Sequence, residues 1–367
     1  MRILHVVTLI SADGAYGGPA RVALNQAEAL TELGHDVTVV AAGAGPAPVS
    51  HGVEIALFHP RTLIPHSGFA GLAAPGMLWW ILRERKRFDV AHIHLARDLV
   101  TLPAARLCRL LGIELVLQTH GMIDASVNVL AAPLDSLVTR KVLRTAAAVF
   151  FLTERERSDL IDVAGPGVSL SKLINGVPEL PEKASNSSLE VLFLARLHQR
   201  KRADLFVDMA EILISEDPSV TFALVGPDGG AAADIAQRTQ ARIRWEGPCP
   251  PDQTAERMRA AAIYVLPAVD EPYPMSVLEA MAVGLPVIVT DSCGLAPDIL
   301  RIGCGIVVPG GELTPLIDAV RSLLVDATMR VEMGRRGRVS AREEFGADSV
   351  ARTLDEQYRK AAHHVSR

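Results

Sequence analysis

Cysteine is scarce and scattered in this chain of 367 residues: Cys108, Cys249, Cys293 and Cys304 are the whole set. Their spacing fits neither a metal-ligand pattern nor a disulfide framework, which suits a reducing compartment and thiols used for packing. A membrane span is missing too. The longest apolar stretch, Leu72 to Leu82, is about half of the roughly 20 residues that a spanning helix needs. Net charge is −5, so a general nucleic-acid role has no electrostatic support. Asp-x-Asp, the acidic pair that clamps Mg²⁺ or Mn²⁺ on a diphosphate, occurs nowhere, and no fixed-period repeat or low-complexity tract stands out. Met1-Arg-Ile-Leu-His-Val-Val-Thr-Leu has some character of a secretion signal, but no small-residue cleavage site follows, and a first strand is expected there.

What is present is an apolar but globular composition. Hydrophobic residues make up 49% and charged residues 22%, with mean hydropathy +0.24, as expected of parallel sheets buried on both faces. The length exceeds what one core supports and predicts two domains of roughly 150 to 200 residues. Ile3-Leu-His-Val-Val-Thr-Leu, Asp36-Val-Thr-Val-Val-Ala, Val90-Ala-His-Ile-His, Glu114-Leu-Val-Leu-Gln-Thr and Ala148-Val-Phe-Phe-Leu read as strands, with helical patterns between several of them. That alternation predicts an α/β doubly wound parallel sheet. It restarts after Val177-Pro-Glu-Leu-Pro-Glu-Lys-Ala-Ser-Asn-Ser-Ser188, a stretch with linker composition, and continues through Glu190-Val-Leu-Phe-Leu, Thr221-Phe-Ala-Leu-Val, Ile263-Tyr-Val-Leu, Val287-Ile-Val-Thr and Gly305-Ile-Val-Val. The expected division is 1–177, a linker 178–188, 189–348, and a terminal helix within 349–367. Ligands in such sheets bind beyond the carboxyl ends of the strands, so both domains should turn their loops into a shared cleft.

The most informative stretch is Glu271-Pro-Tyr-Pro-Met-Ser-Val-Leu-Glu279, followed by Ala280-Met-Ala-Val-Gly284-Leu-Pro286-Val. It reads as a loop leaving a buried strand and opening into a helix from Ser276 to Val283, with Glu271 before the helix and Glu279 inside it. A helix start offers unpaired N–H groups and the positive end of the dipole. The backbone at Met275, Ser276 and Val277 could therefore hold a phosphate while the carboxylates take hydroxyls. Phosphate and polyol together suggest a nucleotide sugar.

This stretch resembles the E-x7-E motif of the retaining glycosyltransferases of family four (glycosyltransferase group 1), whose GT-B architecture sets two Rossmann-like domains about a cleft. The resemblance extends to the order of the other motifs. It implies that Glu271 contacts hydroxyls of the donor sugar, that Glu279 contacts the ribose of the nucleotide, and that the last helix, from Ser349 to His364, crosses back onto the first domain. Two departures are visible: relatives often carry Gly at Pro274 and a hydrophobic residue at Ser276.

Gly14-Ala-Tyr-Gly17-Gly18-Pro19 follows the first strand and opens a helix expected near Ala20. It is not the dinucleotide pattern G-x-G-x-x-G, which argues against a dehydrogenase. Gly17 and Gly18 let a backbone approach a ligand closely, and in the family this loop lies near the transferred group. His120-Gly121 stands at a strand's carboxyl end; the resemblance makes His120 the histidine that faces the donor sugar, often through its carbonyl. His92 and His94 have metal-like spacing but no evident carboxylate partner, so packing is expected of them. Arg196-Leu-His-Gln-Arg-Lys201 resembles the family's Arg-Leu-x-x-x-Lys-Gly, with Arg202 in place of Gly. Two cations at a strand end can bind a diphosphate and neutralise the charge that gathers as the sugar leaves, a role given to Arg196 and Lys201. Arg200 and Arg202 read as a solvated face. Gly226-Pro-Asp-Gly-Gly230 and Trp245-Glu-Gly247-Pro248 occupy places where relatives line the nucleotide pocket, although both are also ordinary turns.

Together these readings predict transfer of a sugar from a nucleotide-sugar donor to a glycan or lipid-linked acceptor, with neither metal nor cofactor, and the family resemblance implies retention. Cytoplasmic location follows from the same reading. Two alternatives use the same features: a nucleotide-sugar epimerase, which needs no acceptor, and a sugar-binding protein with two lobes. Leu72 to Leu82, with Trp79 and Trp80, runs into Arg83-Glu-Arg-Lys-Arg87, a combination that reads either as a core helix with a basic end or as peripheral contact with anionic lipid at the inner face of the membrane.

Overall fold

A computed structural model describes residues 1–10, 17–65, 68–124, 131–182, 189–239 and 241–364. The loop at 11–16, the end of the polar stretch at 183–188 and residues 365–367 lie outside them. Two compact units form: residues 1–10, 17–176 and 347–364 make the first, and residues 177–346 the second.

The first unit holds β1 (Arg2–Leu9), α1 (Gly17–Glu32), β2 (Asp36–Ala42), β3 (Glu54–Phe58), a small hairpin β4 (Arg61–Thr62) and β5 (Leu72–Ala73), and α2 (Pro75–Glu84). It continues through β6 (Val90–His94), α3 (Thr101–Leu110), β7 (Glu114–Gln118), α4 (Ala131–Leu134), α5 (Arg140–Thr145), β8 (Ala148–Phe151), α6 (Glu154–Ala164) and β9 (Leu170–Lys172). Its sheet has the order β3-β2-β1-β6-β7-β8-β9, with every pairing parallel. Alternate residues of β1 feed two separate cores. Leu4 and Val6 join the cluster under α2 and α3, whereas Ile3 and Val7 face α1 and the terminal helix α14 (Ala347–His364). Helix α1 begins at Gly17, earlier than the glycine loop suggested, because Pro19 sits in the first turn, where a missing N–H costs no intrahelical bond.

The second unit holds β10 (Glu190–Leu194), α7 (Ala203–Glu216), β11 (Thr221–Val225), α8 (Ala232–Arg238), β12 (Ile243–Trp245), α9 (Thr254–Arg259), β13 (Ile263–Leu266) and α10 (Met275–Val283). β14 (Val287–Thr290), α11 (Ala296–Ile302), β15 (Gly305–Val308), α12 (Leu313–Val325) and α13 (Ala327–Glu343) complete it. The sheet order is β12-β11-β10-β13-β14-β15, again parallel. Both sheets reverse winding direction next to their first strand, at β1/β6 and at β10/β13, which are the switch points where doubly wound sheets take ligands. Helix α10 is buried along nearly its whole length and lies against α13 so closely that a Cβ on Gly334 would sit 2.1 Å from the Gly284 carbonyl oxygen.

The chain leaves the first unit after Gly176 and re-enters it at Ala347. The described part of the polar stretch is no free linker: Arg338 donates to the Leu180 carbonyl at 2.9 Å and Arg259 to the Glu182 carbonyl at 2.7 Å. Satisfying its backbone carbonyls ties it to the second unit.

Candidate active site

Three loops at the carboxyl ends of β10, β13 and β14 are braced against one another. After β10 the chain makes a tight turn at Gln199–Lys201, then enters α7 through Arg202, which adopts a left-handed conformation (φ 53°). Such a positive φ is the conformation glycine adopts most readily, the residue expected at this place from the motif that Arg196 to Lys201 resembles. Arg202 folds back on Asp204 at 3.1 Å. Arg200 is not merely a solvated charge: its carbonyl accepts from Val269 N at 2.8 Å and its guanidinium donates to the Asp270 carbonyl. Asp270 N donates to Ser292 Oγ at 3.2 Å and Gly294 N to the Glu271 carbonyl at 2.9 Å.

This scaffold brings Lys201 and Glu271 together, 70 positions apart in the chain. Lys201 Nζ donates to Glu271 Oε2 at 2.5 Å, with the two side chains only 21% and 15% exposed. The sequence reading gave them separate tasks, and the fold makes them one charged pair. Arg196 lies in the same loop, its stem packed along Gly229. The setting is electropositive: His198 is held below the usual imidazole range by burial and then by Arg196, Arg200 and Lys201.

Helix α10 starts at Met275, one residue before the predicted start, with Pro274 (φ −73°, ψ 117°) as its N-cap and no capping side chain. The φ of −73° at Pro274 is the value to which the pyrrolidine ring is fixed, so proline sits here without strain. Met275 and Val277 are buried, and Val277 N already donates to the Pro274 carbonyl at 3.2 Å. Ser276 is anchored inward, its Oγ 2.7 Å from the phenol of Tyr264, which also donates to the Leu194 carbonyl at 3.0 Å. Tyr264 was not foreseen; it ties the end of β10 to the start of α10. Glu279 is 3% exposed, and the charges of Glu279 and Glu271 both act on Tyr264, after burial, to hold its phenol protonated.

The Gly226 turn is locked to the same place. A Cβ on Gly226 (φ 147°) would lie 2.0 Å from the Ala195 carbonyl oxygen, so only glycine fits. Leu197 N donates to the Pro227 carbonyl at 2.9 Å, Trp245 Nε1 to the Gly226 carbonyl at 3.1 Å, and Gly226 N to the Gly247 carbonyl at 2.8 Å. The Asp228 carboxylate caps α8 through Gly230 N and Ala232 N.

In the first unit, His120 follows β7 in a left-handed conformation (φ 53°). Glu156, buried in the first turn of α6, clamps it from both sides, accepting from the Thr119 hydroxyl at 2.5 Å and from Gly121 N at 2.6 Å, and from Leu152 N at 2.6 Å. Burial raises the Glu156 carboxyl despite these donors. Nothing in the sequence marked Glu156. His92 and His94 are fully buried, and their partners are His5, His120 and Tyr358. Gly17 and Gly18 open α1, and a Cβ on Gly18 would meet nothing within 4 Å. Gly14 and Tyr16 lie outside the described residues.

Residues 188–326 match the family described as glycosyl transferases group 1, and residues 17–170 match the glycosyl transferase 4-like domain. The chain belongs to this family of glycosyltransferases. It is 25% identical over 395 residues to the D-inositol 3-phosphate glycosyltransferase of Pseudarthrobacter chlorophenolicus, covering 96% of this chain and 93% of that protein. The alpha-D-kanosaminyltransferase of Streptomyces kanamyceticus is 26% identical over 75% of this chain and 79% of its own length. Among solved structures, Anabaena Alr3699/HepE in complex with UDP-glucose matches with a TM-score of 0.77 at 17% identity, over 98% of this chain and 99% of that one. Sucrose-phosphate synthase from Thermosynechococcus elongatus gives 0.77 at 18%, over 98% of each. The fold is GT-B, two parallel-sheet α/β domains.

Proposed function

We propose that the protein is a retaining, metal-independent enzyme that moves a sugar from a nucleotide sugar to an acceptor hydroxyl, in glycan assembly on the cytoplasmic side of a membrane. The observation that carries this reading is the Lys201–Glu271 pair beside Arg196, at a switch point and in front of the N-terminus of α10. Arg196 and Lys201 hold the diphosphate and offset the charge it gains as the bond from the anomeric carbon to its oxygen breaks. Glu271, fixed by Lys201, holds hydroxyls of the donor sugar, and Glu279 holds the ribose. The acceptor oxygen bonds to the anomeric carbon on the face the diphosphate leaves, and its proton passes to a diphosphate oxygen. With these cations in place, the charge compensation that Asp-x-Asp and a metal would give is not required. Alr3699/HepE was solved with UDP and with UDP-glucose, so uridine nucleotides come first among donors. Thermal stability measured with a panel of UDP-, GDP- and ADP-sugars identifies the donor. Nucleotide release that needs an acceptor excludes an epimerase, a product of inverted configuration refutes retention, and loss of activity in EDTA refutes metal independence.

A lipid-linked acceptor is favoured by one surface. Trp80 packs inward between Phe58 and Phe88, while Trp79 (60% exposed) and Leu82 (44%) face out beside Arg83, whose guanidinium lies 5.4 Å from the centre of the Trp79 ring. No helix among the described residues is long and apolar enough to cross a membrane, so contact would be peripheral, through α2.

A further inference from the structure

Four imidazoles and a phenol in the first unit form a continuous row of hydrogen bonds that the transfer chemistry above does not use. Parallel pairing sets His5 opposite His92, and alternation places His94 on the same face, under α14. From α14, the Tyr358 hydroxyl lies 2.6 Å from His92 Nδ1 and 3.4 Å from His5 Nε2. His5 Nδ1 lies 3.2 Å from His94 Nε2, and His94 Nδ1 lies 2.8 Å from His120 Nε2. Burial holds every ring neutral: it pushes His5 and His120 down to about 3 and, with their imidazole neighbours, takes His92 and His94 well below the usual value.

A neutral imidazole has one N–H and one lone pair. His5 and His94 bond through both nitrogens, so a donor at one end of a ring forces an acceptor at the other. His5, His94 and His120 must then all carry the proton on Nε2, or all on Nδ1. Tyr358 decides which. At 2.6 Å its contact with His92 has the length of an O–H donor bond, so the phenolic proton points at His92 Nδ1 and the phenol oxygen faces His5 Nε2–H. The row reads Nε2–H throughout. His120 Nδ1, which makes no hydrogen bond among the described residues, is left as a lone pair. This order leaves the N–H on His92 Nε2 without a partner among the described residues; the reverse order would leave a bare nitrogen there and require an N–H donor at 2.6 Å.

We propose that Tyr358, His5 and His94 are positioning residues that fix His120 as the Nε2–H tautomer, so that its Nδ1 accepts a hydrogen bond from a hydroxyl of the donor sugar. The last clause rests on the reading of His120 as facing the donor. Two-bond ¹⁵N–¹H correlation spectra of ¹⁵N-histidine-labelled protein should show His5, His94 and His120 alike as Nε2–H. Any of the three found as Nδ1–H, or averaged between tautomers, overturns the relay without a variant being made. Tyr358→Phe keeps the ring but removes the hydroxyl; His120 should become a mixture, and the KM for the donor sugar should rise roughly two- to tenfold, the worth of one hydrogen bond, with free-nucleotide affinity unchanged. An unchanged His120 pattern in that variant refutes the assignment to Tyr358. A changed pattern with an unchanged donor KM keeps the relay and refutes His120 as a sugar contact. The nitrogens of His5, His92 and His94 lie within 4.8 Å of one another, so the same spectra are recorded with one equivalent of Zn²⁺. Stoichiometric uptake at these rings would make the cluster a metal site and overturn the relay, since a coordinated nitrogen neither donates nor accepts.

Discussion

Lowering the pH should unlock the first unit through its buried histidines, and His92 makes the effect measurable. A histidine whose folded value is depressed costs nothing above its unfolded value of about 6.5. As pH falls below that, the unfolded chain binds a proton that the folded chain refuses, so stability declines, and the decline ends only below the folded value. Each such ring therefore costs about 0.8 kcal/mol at pH 6 relative to pH 8, and about 2 kcal/mol at pH 5. His5, His92, His94 and His120 together would cost about 3 kcal/mol at pH 6, a large share of a typical domain's stability. Asp98 and Glu156, raised by burial, act with the opposite sign. Comparing wild type with His92→Phe cancels them. Phe keeps an aromatic ring edge-on to Phe150; losing the Tyr358 partner shifts stability by an amount that does not depend on pH. Hydrogen–deuterium exchange of the peptide covering β6, converted to an opening free energy at pH 8, 6 and 5, should show the variant losing about 0.8 and about 2 kcal/mol less than wild type. Identical pH dependence in the two proteins would refute the claim that His92 is neutral in the folded state.

Arg196→Ala and Lys201→Ala should each weaken transition-state stabilisation by about 2–4 kcal/mol while the fold survives; turnover equal to wild type with a confirmed donor would remove them from the site. Glu271→Gln should still bind free nucleotide but scarcely transfer sugar, because the Lys201 partner and the sugar contact lose their charge together; wild-type kcat at saturating donor would make Glu271 a bystander. Gly226→Ala drives a methyl into the Ala195 carbonyl and should cost roughly 1–3 kcal/mol in the second unit, read by denaturant unfolding, with the Arg196 loop displaced and donor affinity reduced. Trp79→Glu should abolish sedimentation with anionic liposomes at low salt and leave activity on a soluble acceptor intact; no lipid binding by wild type would exclude the membrane-facing role of α2.

What is local could be read from residue order alone. Apolar runs of four to eight residues, punctuated by glycine and proline, place most strands within a residue or two, because a parallel strand buried on both faces has no polar register to confuse it. Motif order identified the family, and glycine positions such as Gly226 marked turns whose backbone admits no other residue. Tertiary structure decided what depends on distant residues meeting. Lys201 and Glu271 become a pair only because β10 and β13 are neighbours at the switch point. Trp79 and Trp80 look alike in sequence, yet helical geometry sends one outward and one into an aromatic stack. His5 and Tyr358 stand 353 positions apart, and neither carries a signal of its own. Their neutrality and their shared protons arise from a desolvated sheet face covered by the returning helix, and desolvation belongs to the folded surroundings of a residue, which no local pattern encodes.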